Sequence, residues 1–135
     1  MEIAALLATA LLFGGMTLYS FGFAPLLFAE LRAEAAGRLL RRAFPWYYLF
    51  TIAVALLGAG LLWPVDRLSV VLLASTAAIG IVARQILMPM INSARDAWTG
   101  GAAEAKRRFD MLHGLSVALN FVQMGLVAWA LVRFL

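Results

Sequence analysis

Four long apolar stretches, separated by short charged segments, make up most of the chain. The first covers residues 3–29 and the second covers residues 43–65, both without a charged residue. The third runs from residue 68 past Arg84 to residue 90, and the fourth, residues 111–132, is ionisable only at its histidine. A membrane-crossing helix needs about 20 apolar residues. The pattern therefore predicts four transmembrane helices, at about residues 3–28, 45–63, 68–90 and 109–133.

These helices account for nearly all of the 135 residues, so the predicted fold is an all-α integral membrane bundle forming a single domain over residues 1–135. Composition agrees, because 64% apolar and 13% charged residues fit no ordinary soluble domain. Leucines and charges at roughly helical spacing in residues 30–43 suggest a short interfacial helix in the first loop. Large apolar faces imply contact with membrane lipids and allow a homo-oligomer.

The basic residues predict the orientation. Two long loops hold eight of them, and the opposite side holds two, Arg67 and Arg133. Positively charged loops stay inside, so both long loops are expected in the cytoplasm and both termini outside, in a bacterial-type inner membrane. Charges beside a membrane argue against a nucleic-acid surface. The chain has no cysteine, which excludes disulfides and cysteine-based zinc sites. The eight basic residues of the two predicted long loops are Arg32, Arg38, Arg41, Arg42, Arg95, Lys106, Arg107 and Arg108.

A polar stripe marks the fourth predicted helix. Its members are spaced 3, 3, 4 and 3 residues apart, which places them on one helical face. Polar side chains are costly in lipid, so the stripe should face other helices or a wet cavity. The five residues are Asp110, His113, Ser116, Asn120 and Gln123.

Depth along the helices suggests that further polar groups meet this stripe. Tyr19 and Arg84 each lie 16 residues into their predicted helices, which is about 24 Å at the rise of an α-helix. Tyr47 or Tyr48 enters from the same side, and His113 lies one turn inside the fourth helix. One layer in the cytoplasmic quarter could therefore collect all of them. For Arg84, two interpretations stay open: extension to the head groups, or an internal ion pair with Asp110 or Glu30.

His113 allows several interpretations. An intramembrane histidine can carry a proton, bind a metal or haem, or hydrogen-bond to a neighbouring helix. It is the only histidine, so one chain cannot form a bis-histidine site. The structural alternative is that His113, Asn120 and Gln123 only join the fourth helix to its neighbours. The sequence identifies no specific cofactor or metal.

Three motifs carry a resemblance to a known family. They are Gly14-Gly15 followed by FAPLLFAEL at residues 23–31, AGRLLRRAFPWYY at residues 36–48, and FDMLHGLSVALN at residues 109–120. At these motifs the chain resembles the TMEM205-like family of small membrane proteins. The resemblance implies a polytopic membrane protein and assigns no reaction or substrate.

Function is narrowed to three hypotheses. The favoured one is non-enzymatic: binding or passage of a small solute, ion or metal species through the polar layer, with Arg84, His113, Asn120 and Gln123 along the path. The second is a membrane redox subunit that holds haem or quinone near His113. The third is a structural or assembly protein in which the stripe only joins helices.

Overall fold

The computed structural model describes residues 2–135, and in them the chain is helical with short connections. Four continuous helical stretches are long and apolar enough to cross a membrane, which confirms the all-α membrane bundle. We call them the first to fourth spans: Glu2–Glu30, Ala33–Leu62, Arg67–Thr99 and Ala105–Val132. Their elements are α1 (Glu2–Thr17), a first π-helical segment (Leu18–Phe23), α2 (Ala24–Glu30), α3 (Ala33–Leu62), α4 (Arg67–Val82), a second π-helical segment (Ala83–Leu87), α5 (Met88–Thr99) and α6 (Ala105–Val132).

The helices are longer than predicted at the end of the bundle where the sequence predicted two long loops. Residues 30–43 were expected to hold a separate interfacial helix, but from Ala33 onward the chain is one helix that continues through Pro45 into the second span. Pro45 lacks only one backbone donor, so a helix held by neighbours on both sides survives it. The third span ends at Thr99 instead of residue 90, and the fourth begins at Ala105 instead of residue 109.

Two π-helical segments interrupt the first and third spans, and each is followed directly by a helix that has a proline in its first turn. Ala24 N–H bonds to the Tyr19 carbonyl, and Met88 N–H bonds to the Ala83 carbonyl, both five residues back. A proline removes a backbone donor and its ring crowds the preceding turn, and a widened turn relieves both effects. Such segments frequently occur at functional sites.

The tight turn between α3 and α4 lies at the end of the bundle with both chain termini, which we call the terminal end. The Asp66 carboxylate accepts from Leu68 N–H at 3.1 Å and so caps α4. It also pairs with the Arg133 guanidinium at 2.7 and 2.9 Å. Hydrogen bonds from Arg133, then from Ser69, hold the pKa of Asp66 well below its usual range, and the same pair raises the pKa of Arg133. This contact ties the end of the chain to the turn.

The bundle is tightly packed through its middle, and a small pocket of about 170 Å³ lies at the terminal end beside Asp66 and Arg133. α3 packs against α1 and α4, and α6 packs against α4 and α1. Small residues allow this approach: a Cβ added at Gly58 would lie 2.9 Å from Leu73 Cδ1. The side chains that fill the centre here are fully buried, and they include Thr9, Leu12, Leu73, Thr76, Gln123 and Val127.

Candidate functional site

A groove of about 360 Å³ lies at the opposite end of the bundle, which we call the basic end because the eight basic residues that the sequence placed in two long loops are there. All four spans contribute to its wall. Its rim toward the lipid is formed by Phe21 and Phe121, which are 58% and 53% exposed and have ring centres 6.0 Å apart. The residues that define this basic-end groove are Tyr19, Ser20, Gly37, Tyr47, Arg95, His113 and Asn120.

The floor of the groove is a hydrogen-bonded cluster that joins three spans. Tyr47 donates its hydroxyl proton to Asn120 Oδ1 at 2.6 Å. Asn120 Nδ2 in turn donates to Ser20 Oγ at 2.9 Å. Ser20 belongs to the first π-helical segment, so the widened turn delivers one of the three partners. The cluster is polar but internally satisfied, which makes it stable within a membrane.

One wall of the groove is aromatic. Tyr19 stacks on Tyr47 with ring centres 4.1 Å apart and planes inclined by 15°. Phe44 meets the edge of Tyr19 and stacks on Tyr48. Within residues 2–135 the buried Tyr19 hydroxyl has no hydrogen-bond partner. These rings fill the space between the first and second spans at the basic end, and the groove lies between them and α6.

The mouth of the groove is cationic. Arg41 forms a two-pronged ion pair with Asp96, at 2.6 and 3.0 Å. Arg95 is on the same helix as Asp96, and its guanidinium occupies the space that a Cβ at position 37 would fill. The guanidinium fits there because residue 37 is glycine. Arg95 is half-buried and forms no salt bridge or side-chain hydrogen bond within the described residues 2–135.

The polar stripe of the fourth span is divided by the fold. His113, Ser116 and Asn120 line the groove, together with Tyr19 from the first span. His113 is exposed to the groove side and stacks on Phe109, with ring centres 5.8 Å apart. Ser116 donates its hydroxyl proton to the His113 carbonyl at 2.7 Å.

The remaining predicted site residues lie elsewhere. Asp110 is exposed and pairs with Lys106 at 2.8 Å. Gln123 is fully buried below the groove and donates to the Thr76 carbonyl at 2.9 Å, which joins α6 to α4. The stripe is therefore not one continuous lining.

Arg84 makes no ion pair with Asp110 or Glu30 in the part of the chain that the structure describes, so that interpretation is wrong. Its Nε donates to the Pro45 carbonyl at 3.3 Å and its Nη1 to Gln85 Oε1 at 3.1 Å. The bond to Pro45 joins the third span to the second. It also holds the second π-helical segment against α3.

Sequence reasoning missed the residues of the mouth and one residue of the floor. Arg41 and Arg95 counted only as topology charges, and Gly37 gave no signal of its own. Ser20 adjoins Tyr19, yet its role depends on a partner 100 residues away. Within residues 2–135, no group of three His, Cys, Asp or Glu side chains is arranged to hold a metal ion.

The comparison with known families gives one match. Residues 7–98 match the family model described as a domain of unknown function (DUF4149). The chain belongs to this family. The DUF4149 match covers most of the first three spans, so the fourth span, with His113 and Asn120, lies beyond it. Neither a curated protein nor a solved structure matches the chain.

Proposed function

We propose that this DUF4149 protein binds a membrane amphiphile, a molecule with an apolar tail and a polar head, in the basic-end groove. The observation that carries the proposal is the shape of the groove: beside the touching rings of Phe21 and Phe121 its wall includes the exposed apolar side chains of Phe28 and Val117, and its floor is polar. Its volume of about 360 Å³ lies within the usual range for small-molecule sites, roughly 300–1,000 Å³. A tail can enter such a groove from the lipid without crossing water.

Binding is favoured over passage because the path ends at the floor. Below Asn120, the centre is filled by Leu12, Leu73 and Gln123, each fully buried. One of the two N–H groups of the Gln123 amide donates to the Thr76 carbonyl, which ties α6 to α4 at this depth. A ligand that enters the groove would have to leave the way it came.

The proposal includes an orientation. The eight Lys and Arg residues at the basic end support its placement in the cytoplasm of a bacterial-type inner membrane. The amphiphile would then come from the cytoplasmic leaflet. Lipid covers the exposed apolar faces in this arrangement, so the groove needs no second copy of the chain. The TMEM205-like resemblance fits this reading, because its third motif supplies His113 and Asn120 to the groove.

A quinone is the second candidate ligand. The stacked rings of Tyr19 and Tyr47 form a flat aromatic wall, and His113 offers a ring nitrogen on the opposite side of the groove. Those are features that suit a planar head with carbonyl oxygens. The same groove would then serve a redox subunit instead of a lipid-binding protein.

Photolabelling tests the proposal. The protein is reconstituted in vesicles with a phospholipid that carries a diazirine in its acyl tail, irradiated, and digested for mass spectrometry. We expect labels to concentrate on the groove rim, at Phe21 and Phe121, well above the other lipid-facing surfaces. Addition of a short-chain quinone distinguishes the second candidate, since a quinone site predicts that this compound removes the labels at the rim.

A pair of variants of α6 provides the control. Val117 lines the groove and Val122 does not, although they are similarly exposed at 41% and 51%. Val117→Trp fills the groove and should reduce rim labelling to the level of the surrounding surface. Val122→Trp should leave it unchanged. Even labelling around the whole bundle, insensitive to Val117→Trp, would mean that the groove holds no amphiphile.

A further inference from the structure

We infer that the ligand of the basic-end groove is an anionic phospholipid whose phosphate is bound by Arg95. This inference rests on the proposed function and adds the chemistry of the head group. Its basis is the juxtaposition of a guanidinium that has no salt bridge within residues 2–135 with the mouth of a groove lined mostly by apolar side chains.

The site around Arg95 is shaped for its guanidinium. Gly37 is buried in α3, and a Cβ there would overlap the guanidinium, so only glycine leaves this space. The side chain thus lies along the second span at the mouth of the groove instead of extending freely into solvent. A guanidinium held in one orientation loses less entropy when it binds an anion.

The charges around Arg95 leave its guanidinium without a hydrogen-bonded carboxylate within residues 2–135. Its neighbour Asp96 is engaged by Arg41 through both carboxylate oxygens. On the facing helix α6, Lys106 pairs with Asp110 and lies over the Trp98 ring. The carboxylates of Asp96 and Asp110 therefore have partners, and with Arg41 and Arg95 beside Asp96 the mouth keeps a positive charge that fits an anion. A planar guanidinium can bind two phosphate oxygens at once.

The depth of Arg95 matches that of a lipid phosphate. A hydrocarbon layer about 30 Å thick that begins near Arg67 ends near Leu87, about 20 residues along the third span. Arg95 lies roughly 12 Å further, and helical side chains lean toward the N-terminus, which here is back toward the membrane. The guanidinium therefore lies at the level of the head groups, with the groove beneath it for a tail. Basic pockets between spans on the cytoplasmic side are typical sites for anionic lipids.

Two lipids with identical diazirine tails test this inference. One is a phosphatidylglycerol, which is anionic, and the other a phosphatidylcholine, which is zwitterionic. At equal concentrations we expect the anionic lipid to label the rim about tenfold more strongly, the difference that a charge-assisted contact supports. Arg95→Gln should remove this preference while both lipids continue to label the rim.

Two further variants separate position from charge. Gly37→Ala keeps every charge but displaces the guanidinium, and it should reduce the preference as Arg95→Gln does. Arg42→Gln removes an exposed charge at the same end that is not part of the groove, and it should leave the preference intact. Unchanged thermal unfolding midpoints establish that the variants fold. If Gly37→Ala does not fold, Arg95→Gln alone still tests the inference.

The outcomes are distinguishable from failure of the proposed function. Equal rim labelling by the two lipids in the unchanged protein would overturn the inference and leave amphiphile binding in place. Labels absent from the rim with both lipids would overturn both. A preference for the anionic lipid that persists in Arg95→Gln would also reject the assignment of the phosphate to Arg95. Loss of rim labelling on addition of inorganic phosphate would reject it too, because the anion site would then not require a lipid.

Discussion

The two halves of the bundle are built from the same four spans but pack in opposite ways. Toward the terminal end, small residues such as Ala5, Ala55 and Gly58 are buried between helices, and the centre is solid. Toward the basic end, aromatic rings occupy the same layer between helices, and the groove opens beside them. The change occurs at the first π-helical segment, beyond which the chain continues as α2 and packs on α3.

This difference shows what opens a helical bundle in lipid. Hydrophobic burial does not drive helices together in a membrane, so close packing of small residues has to do so. Where aromatic rings occupy the layer between helices, the groove opens beside them and its space is available to a ligand. The π-helical segment adds a rotation that turns Tyr19 and Ser20 into that space. A site and a rigid support are thus encoded along one helix.

The largest expected effect of a substitution lies in the closed half. Leu73→Ala removes a fully buried side chain that packs against Gly58, and we expect a loss of about 2–5 kcal/mol in the free energy of unfolding because a cavity remains. Titration with sodium dodecyl sulfate measures this loss. Leu57→Ala, at a side chain that is 57% exposed to lipid, is the control and should have little effect. Equal losses in the two variants would contradict the idea that the terminal half is the packed support.

The floor of the groove is expected to contribute less to stability. Asn120→Ala breaks the bonds to Tyr47 and Ser20, and interhelical hydrogen bonds of this kind imply a loss of about 1–2 kcal/mol. Combination with Tyr47→Phe in a double-mutant cycle isolates the shared bond. Additive effects of the two substitutions would show that the 2.6 Å contact carries no coupling.

Hydropathy was sufficient to predict the fold because lipid imposes it. A span must satisfy its backbone internally, so four apolar runs can only be helices. Helical periodicity also placed His113, Ser116 and Asn120 on a common face that lines the groove. The same periodicity cannot set depth, which is why Gln123 was assigned to a lining and is instead a buried link to Thr76.

The mouth of the groove lay beyond sequence reasoning because its partners are distant in sequence. Arg41 and Asp96 are 55 residues apart, and pairing at that distance depends on how far α3 and α5 extend past the membrane. The prediction began the second transmembrane helix at residue 45 and ended the third at residue 90, so it placed Arg41 and Asp96 outside the membrane-crossing helices. The π-helical segments that align the helices likewise follow from packing around Pro25 and Pro89, which composition does not reveal.

The smallest expected effect concerns the ion pair that closes the terminal end. Asp66→Asn keeps the cap of α4, since asparagine caps as well as aspartate does, and removes the charge that Arg133 binds. The folded-state pKa of Asp66 is lowered, mainly by its hydrogen bonds from Arg133. The carboxylate therefore contributes its full stabilisation above the ordinary aspartate pKa of about 3.9, and this stabilisation is lost as the pH falls through the folded-state pKa. Asp66→Asn should therefore unfold more easily at pH 7, and the difference from the unchanged protein should shrink below about pH 4.

Unfolding titrations at a series of pH values measure this convergence, and Glu34→Gln is the matched control. Glu34 is exposed in the first turn of α3 and forms no salt bridge within residues 2–135. Its variant should track the unchanged protein at every pH. If Asp66→Asn differed from the unchanged protein by the same amount at all pH values, the stabilising element at this end would be the shape of the turn. The charge on Asp66 would then have no part in keeping the terminal half closed.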